Sequence, residues 1–255
     1  MKSIDLNCDM GELPEAIADG TQESLMEFLT SVNIACGGHA GDEVTMRTTV
    51  EQALRRNLAI GAHPGYPDRE NFGRVELDLP KEAIAESVFV QVSALGEIAA
   101  KCGGRVTHVK AHGALYNQAA RDREIAEGIA QGVGRWRRDV VLVGLAGSRM
   151  LEAFRSEGFA TASEAFLDRR YEADGSLRAR KFADALILDP AEAAEQALGI
   201  AKNGRVRVRG GGEMAIEAQT ICIHGDTPGA AKIAAAVAQR LKEAGVRLAP
   251  LGSLQ

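Results

Sequence analysis

The chain has 255 residues, 45% hydrophobic and 25% charged, with a formal net charge of -5. That balance belongs to a soluble globular protein with room for a large core, and with no basic block it speaks against a nucleic-acid partner. The sequence shows no secretory h-region and no run near the ~20 apolar residues of a membrane span. Its four cysteines (Cys8, Cys36, Cys102, Cys222) form no CxxC, so reduced buried thiols in a cytoplasmic protein are expected.

Short β-like runs alternate with longer helical ones. In chain order the predicted strands are 3–9 (SIDLNCD), 32–36 (VNIAC), 58–63 (LAIGAH), 106–112 (VTHVKAH), 140–146 (VVLVGLA), 159–166 (FATASEAF) and 218–224 (AQTICIH). Further candidates are 184–188 (DALIL) and 205–209 (RVRVR). Helices are expected near 22–30, 42–57, 80–102, 119–137, 147–157, 190–203 and 228–244. Asp42 is placed to cap one of them. Asp189-Pro190 and Thr227-Pro228 both read as a cap followed by proline at the first helical position. This alternation predicts a parallel sheet with helical crossovers. No GxGxxG follows the first strand, and RGGGEM (209–214) lacks the ending of a P-loop. With no linker, repeat or low-complexity tract, residues 1–255 read as one domain.

Side-chain alternation sharpens the fold. In 3–9, Ile4, Leu6 and Cys8 share one face and Asp5, Asn7 and Asp9 the other. In 106–112, His108, Lys110 and His112 oppose Val109 and Ala111. In 220–226, Thr220, Cys222, His224 and Asp226 oppose Ile221 and Ile223. An open doubly wound sheet covers both faces with helices and wants apolar strands throughout. A polar face repeated on parallel strands fits a closed (β/α) barrel of TIM type with its site at the C-terminal strand ends.

Four of the five histidines (His39, His63, His112, His224) stand at or just past predicted strand ends, as do Asp9 and Asp226. Asp9, His39, His63, His112 and Asp226 are therefore the expected catalytic group. Two chemistries suit them: a divalent metal held by Asp9, His39, His63 and His112 that activates water, or metal-free acid–base work. An anionic substrate would call on Lys110, on Arg69 and Arg74 in PDRENFGR, and on Arg169 in LDRRYEADGSLRAR. Asn7 and His224 face the same space, and Glu12 in DMGE is a substrate-binding candidate with the same standing as the loop arginines. Lys110 reads equally as an internal ion pair with Asp9 or Asp5, and loop arginines are commonly solvated.

Five stretches, DLNCDMGE, VNIACGGHAGD, IGAHPGYPDRENFGR, VKAHGALYN and TICIHGDTPGA, run in order along nearly the whole chain and resemble the motif series of the LamB/YcsF family. The resemblance implies a barrel of glycoside hydrolase/deacetylase type, often with seven strands. It implies opening of the lactam ring of 5-oxo-L-proline to L-glutamate, coupled to hydrolysis of ATP with its magnesium counter-ion. It also implies two partner subunits, B and C. Departures are Ala111, where the family usually has proline, Val75 in place of a second loop arginine, and SEAFLDRRY, which keeps Glu164, Asp168, Arg169 and Tyr171. A metal-dependent amidase or deacetylase acting alone, and a non-catalytic subunit that presents 5-oxoproline, remain the alternatives.

Overall fold

The seven principal β-runs all become strands, and they close on themselves. A computed structural model describes residues 2–251. Its strands are β1 (Ser3–Met10), β2 (Ser31–Ala35), β3 (Ala59–His63), β4 (Val106–Lys110), β5 (Val141–Leu145), β6 (Ala160–Phe166), β7 (Arg205–Arg207), β8 (Glu213–Ala215), β9 (Thr220–Ile223) and β10 (Arg247–Leu248). Its helices are α1 (Pro14–Ala18), α2 (Thr21–Met26), α3 (Glu43–Arg55), α4 (Lys81–Lys101), α5 (Gly113–Ala119), α6 (Arg123–Trp136), α7 (Arg149–Ser156), α8 (Pro190–Leu198) and α9 (Ala230–Glu243). Parallel pairing runs β1-β2-β3-β4-β5-β6-β9, and β9 pairs back to β1, giving a closed seven-stranded barrel. The short β10 joins the start of β1 from outside the ring.

Alternation places the two faces as expected. Ile4, Leu6 and Cys8 are buried in the apolar layer under the helices, together with Val50, Val92, Ile129 and Val237. The opposite residues fill the lumen with hydrogen bonds. Asp5 accepts from the hydroxyls of Thr30, Ser31 and Thr220. Asn7 donates to Glu164 and Thr220 and accepts from Asn33. His108 sits beside Asn33 Oδ1 at 3.0 Å. This polar plug closes the barrel below the site. Gly61 makes room for it, since a Cβ there would lie 2.2 Å from His108 Nε2.

Several details differ from the sequence reading. Residues 205–209 contribute only β7, which pairs antiparallel with β8 in a separate hairpin, and 184–188 forms no strand beyond an isolated bridge between Leu186 and Arg169. The helix expected over 119–137 is α6, which starts later because Asp122 caps it through Glu124 N–H, and the short α5 before it was not expected. Asp42 and Asp189 do cap α3 and α8. Thr227 caps nothing: its hydroxyl donates to Asp168, and α9 begins after Gly229 at φ 77°. One helix, α4, is long and apolar enough by length and composition to cross a membrane, contrary to expectation. Here it buries Ile84, Val88, Val92 and Leu95 in the core. All four cysteines are free, three of them buried.

Candidate active site

The C-terminal strand ends open into a cavity of about 710 Å³. Asp9 reaches it from β1, His63 from β3, Lys110 from β4 and His224 from just past β9. His112 is the residue before α5, and Glu12 follows the end of β1.

Lys110 holds the centre. Its ammonium lies 2.9 Å from Asp9 Oδ1 and 2.9 Å from Glu164 Oε1, with Cys222 Sγ at 3.1 Å. Burial alone would lower its pKa, but the two carboxylates outweigh that and hold it well above the ordinary lysine value. The ion-pair reading of Lys110 is therefore what the structure shows, with Glu164 rather than Asp5 as second partner. Asp9 is buried too, and His63 and Lys110 hold it well below the ordinary carboxylate range against the desolvation that would raise it. Asn33 donates to the same Oδ1, so Oδ2 is left toward the cavity, 3.3 Å from His63 Nε2.

Three imidazoles and Glu12 form the second group. Glu12 Oε1 lies 2.8 Å from His39 Nε2, 3.0 Å from His112 Nδ1 and 3.7 Å from His63 Nε2. The rings of His39 and His112 stack at 3.5 Å with planes 4° apart. The loop from 64 to 74 builds the wall behind them: Phe72, at φ 55°, packs edge-on against both rings and turns its carbonyl to His112 Nε2 at 2.9 Å. Burial pushes His39 down to about 4. For His63 burial also opposes the charge, yet Asp9 raises it above the usual value.

The rim is cationic. Arg169 is 7% exposed, its Nη2 donates to Arg178 O, and its Nε has no partner. Burial, with Arg180 beside it, lowers it to about 10. Arg74 and Arg180 both engage Asp226, at 2.6 and 3.1 Å. His224 stacks on Phe166 and is held by Asp168, which accepts from its main-chain N–H, its ring and the Thr227 hydroxyl.

The expected constellation is thus brought together in part. Asp9, His39, His63 and His112 gather, and Glu12 joins them at the point where all three rings meet. Asp226 stands apart at the rim, neutralised by arginines. Arg69 lies outside the cavity, tied to the carbonyls of Gly37 and Gly41, and Asn7 belongs to the plug beneath. Glu164, Tyr116 and Asp168 were not among the expected site residues. Tyr116 donates to Glu164 at 2.8 Å, and only the inward register of β6 marks Glu164 in sequence. Among the described residues two donor groups are close enough to share one cation: Glu12, His39, His63 and His112, or Asp9, Cys222 and His224. In the second, the Lys110 ammonium already occupies Asp9 and Cys222. In the first, no ammonium or guanidinium among the described residues contacts the donors.

The LamB/YcsF family model matches residues 4–255. The 5-oxoprolinase A-subunit of Chloroflexus aggregans is 48% identical over 246 residues, 96% of this chain and 98% of that one. Its counterpart of the same name in Bordetella pertussis is 46% identical with the same coverage. A lactam utilization protein from Thermus thermophilus superposes with a TM-score of 0.91 at 39% identity, over 98% of this chain and 100% of that one. This chain belongs to the LamB/YcsF family.

Proposed function

We propose that this chain is the lactam-opening subunit of an ATP-dependent 5-oxoprolinase. The observation that carries the reading is the cavity itself, where acid–base groups (Asp9, His63, His112) and a buried arginine with an unpartnered Nε (Arg169) face one space. The names of the relatives, 5-oxoprolinase A-subunit and lactam utilization protein, supply the substrate.

A five-membered lactam is a stable amide, so coupling to ATP makes chemical sense. Phosphorylation of the lactam oxygen makes the ring carbon electrophilic. Water adds there, the ring C–N bond breaks and the nitrogen takes a proton. A second water then releases phosphate from the resulting acyl phosphate, leaving L-glutamate. Arg169 is placed to bind the substrate carboxylate, with Arg74 at the rim. Asp9 Oδ2 and the imidazoles are placed to move the protons. Lys110 keeps Asp9 ionised and turns positive charge toward developing oxyanions. The strand ends carry no nucleotide motif, so magnesium-ATP binding depends on the partner subunits B and C.

The test is reconstitution with those two partners, following glutamate from 5-oxoproline with and without ATP. Turnover is expected only with all three subunits and ATP. Asp9→Asn should lower kcat by about 100-fold or more, and Arg169→Gln should chiefly raise KM for 5-oxoproline. Turnover by the isolated chain without ATP would identify a stand-alone amidase instead. An Asp9→Asn variant that loses affinity but not kcat would make this a presenting subunit.

A further inference from the structure

The hydrogen bonds around the imidazole cluster define where its protons are. His63 Nδ1 lies 2.8 Å from the Lys110 carbonyl and His112 Nε2 lies 2.9 Å from the Phe72 carbonyl. A carbonyl only accepts, so each of those nitrogens carries the hydrogen. In the neutral rings the inner nitrogens, His63 Nε2 and His112 Nδ1, then present lone pairs. Those two atoms are 3.0 Å apart. Glu12 Oε1, also an acceptor, is 3.0 Å from one and 3.7 Å from the other. Three acceptors converge on one point in a buried setting. One added proton can bridge one pair and leaves another facing unrelieved. A cation bound by all three relieves every pair.

His39 differs. Its Nδ1 is buried without a partner. An unmet acceptor is less severe than an unmet N–H, so its hydrogen belongs on Nε2, donated to Glu12 Oε1 at 2.8 Å. Its ring is parallel to that of His112 at 3.5 Å. An ion in the plane of one ring cannot lie in the plane of the other.

We infer that His63 Nε2, His112 Nδ1 and Glu12 Oε1 form a facial site for one first-row divalent transition metal, with His39 orienting Glu12 from outside the ligand set. Two imidazoles with one carboxylate suit zinc, manganese, iron or cobalt, whereas magnesium and calcium prefer oxygen throughout. The backbone carbonyls behind His63 and His112 are the outer partners that ligating histidines use. Asp9 is left outside the set: its free Oδ2 contacts His63 Nε2 at 3.3 Å but is not grouped with the other donors, and Oδ1 is committed to Asn33 and Lys110. A bound ion would act as Lewis acid and lower the pKa of a bound water. The inference concerns the same cavity as the lactam reading but rests on the donor geometry, not on the substrate.

The test reads metal rather than turnover, so either idea can fail alone. The full-length chain, stripped with chelator and dialysed, is titrated with zinc against a chromophoric chelator and with cobalt by visible absorption. One ion per chain is expected. Glu12→Gln and His112→Gln should weaken binding by at least about 100-fold, while His39→Gln should cost only about 10-fold and Asp9→Asn less. Imidazole ¹⁵N NMR of the wild-type apoprotein reads the tautomers even where a variant fails to fold: hydrogen on Nδ1 of His63 and on Nε2 of His112 and His39. No stoichiometric binding of either metal, or the opposite tautomer at His63 or His112, overturns the site. An effect of His39→Gln equal to that of His112→Gln overturns the ligand assignment.

Discussion

Buried charge is the organising feature at the scale of single residues. Lys110, Asp9 and Glu164 sit together below 9% exposure, and removal of one would strand the others in a medium that penalises isolated ions. Asp168 is the same problem at the rim. Burial alone would raise its pKa, but His224, Thr227 and the His224 main-chain N–H lower it to about 2, against an ordinary 3.8. A depressed carboxylate adds stability that is fully present above the unfolded pKa and is lost as pH falls through about 2. The shift corresponds to roughly 2 kcal/mol. Asp168→Asn should therefore lose on the order of 2 kcal/mol at pH 7 in urea unfolding. It should also show a weaker pH dependence than the wild type between pH 4 and pH 2. Parallel wild-type and variant profiles across that range would remove Asp168 from this role. Its contacts hold His224 against Phe166, which links the stability term to the shape of the cavity.

Elements were legible wherever local chemistry decides. Period-2 alternation in 3–9 and 106–112 separated lumen from helix-facing residues, and the Asp42 and Asp189 caps stood where acids precede helical runs. The misses have reasons outside the local stretch. Thr227-Pro228 reads as a cap, but Asp168, 59 residues away, takes the Thr227 hydroxyl, so the chain needs Gly229 in the left-handed region before α9 can start. Arg205–Arg207 alternates like a barrel strand, yet β8 is its partner, and nothing in a three-residue strand says which partner it will find. At β3 the register shift beside Gly61 admits the His108 ring. Gly61→Ala should cost about 1–3 kcal/mol by overpacking, measurable as a lower denaturant midpoint with little change in m. A midpoint equal to wild type would show that His108 can move aside.

Closure is what the whole molecule adds. Once β9 pairs with β1, residues from β1, β3, β4, β6 and the loop after β9 face one another within a single cavity, and the loops that follow them become its rim. Among the described residues no nucleotide-binding motif is found at this mouth. Isothermal titration of the isolated chain with magnesium-ATP should show no micromolar binding, and affinity should emerge only with the partner subunits present. Micromolar binding by the chain alone would overturn that division of labour.

Sequence by itself determined the order of the seven barrel strands, the polar lumen face, the gathering of Asp9, His39, His63 and His112, and the family resemblance. All of these are carried by local periodicity and by motifs short enough to read in one stretch. Only the tertiary structure decided that Glu12 meets the three imidazoles, that Glu164 rather than Asp5 shares Lys110 with Asp9, and that Asp226 and Arg69 are engaged elsewhere. Those outcomes depend on which side chains of distant strands come within about 3 Å of each other, and that is set by sheet register and barrel closure, which no single stretch of chain contains.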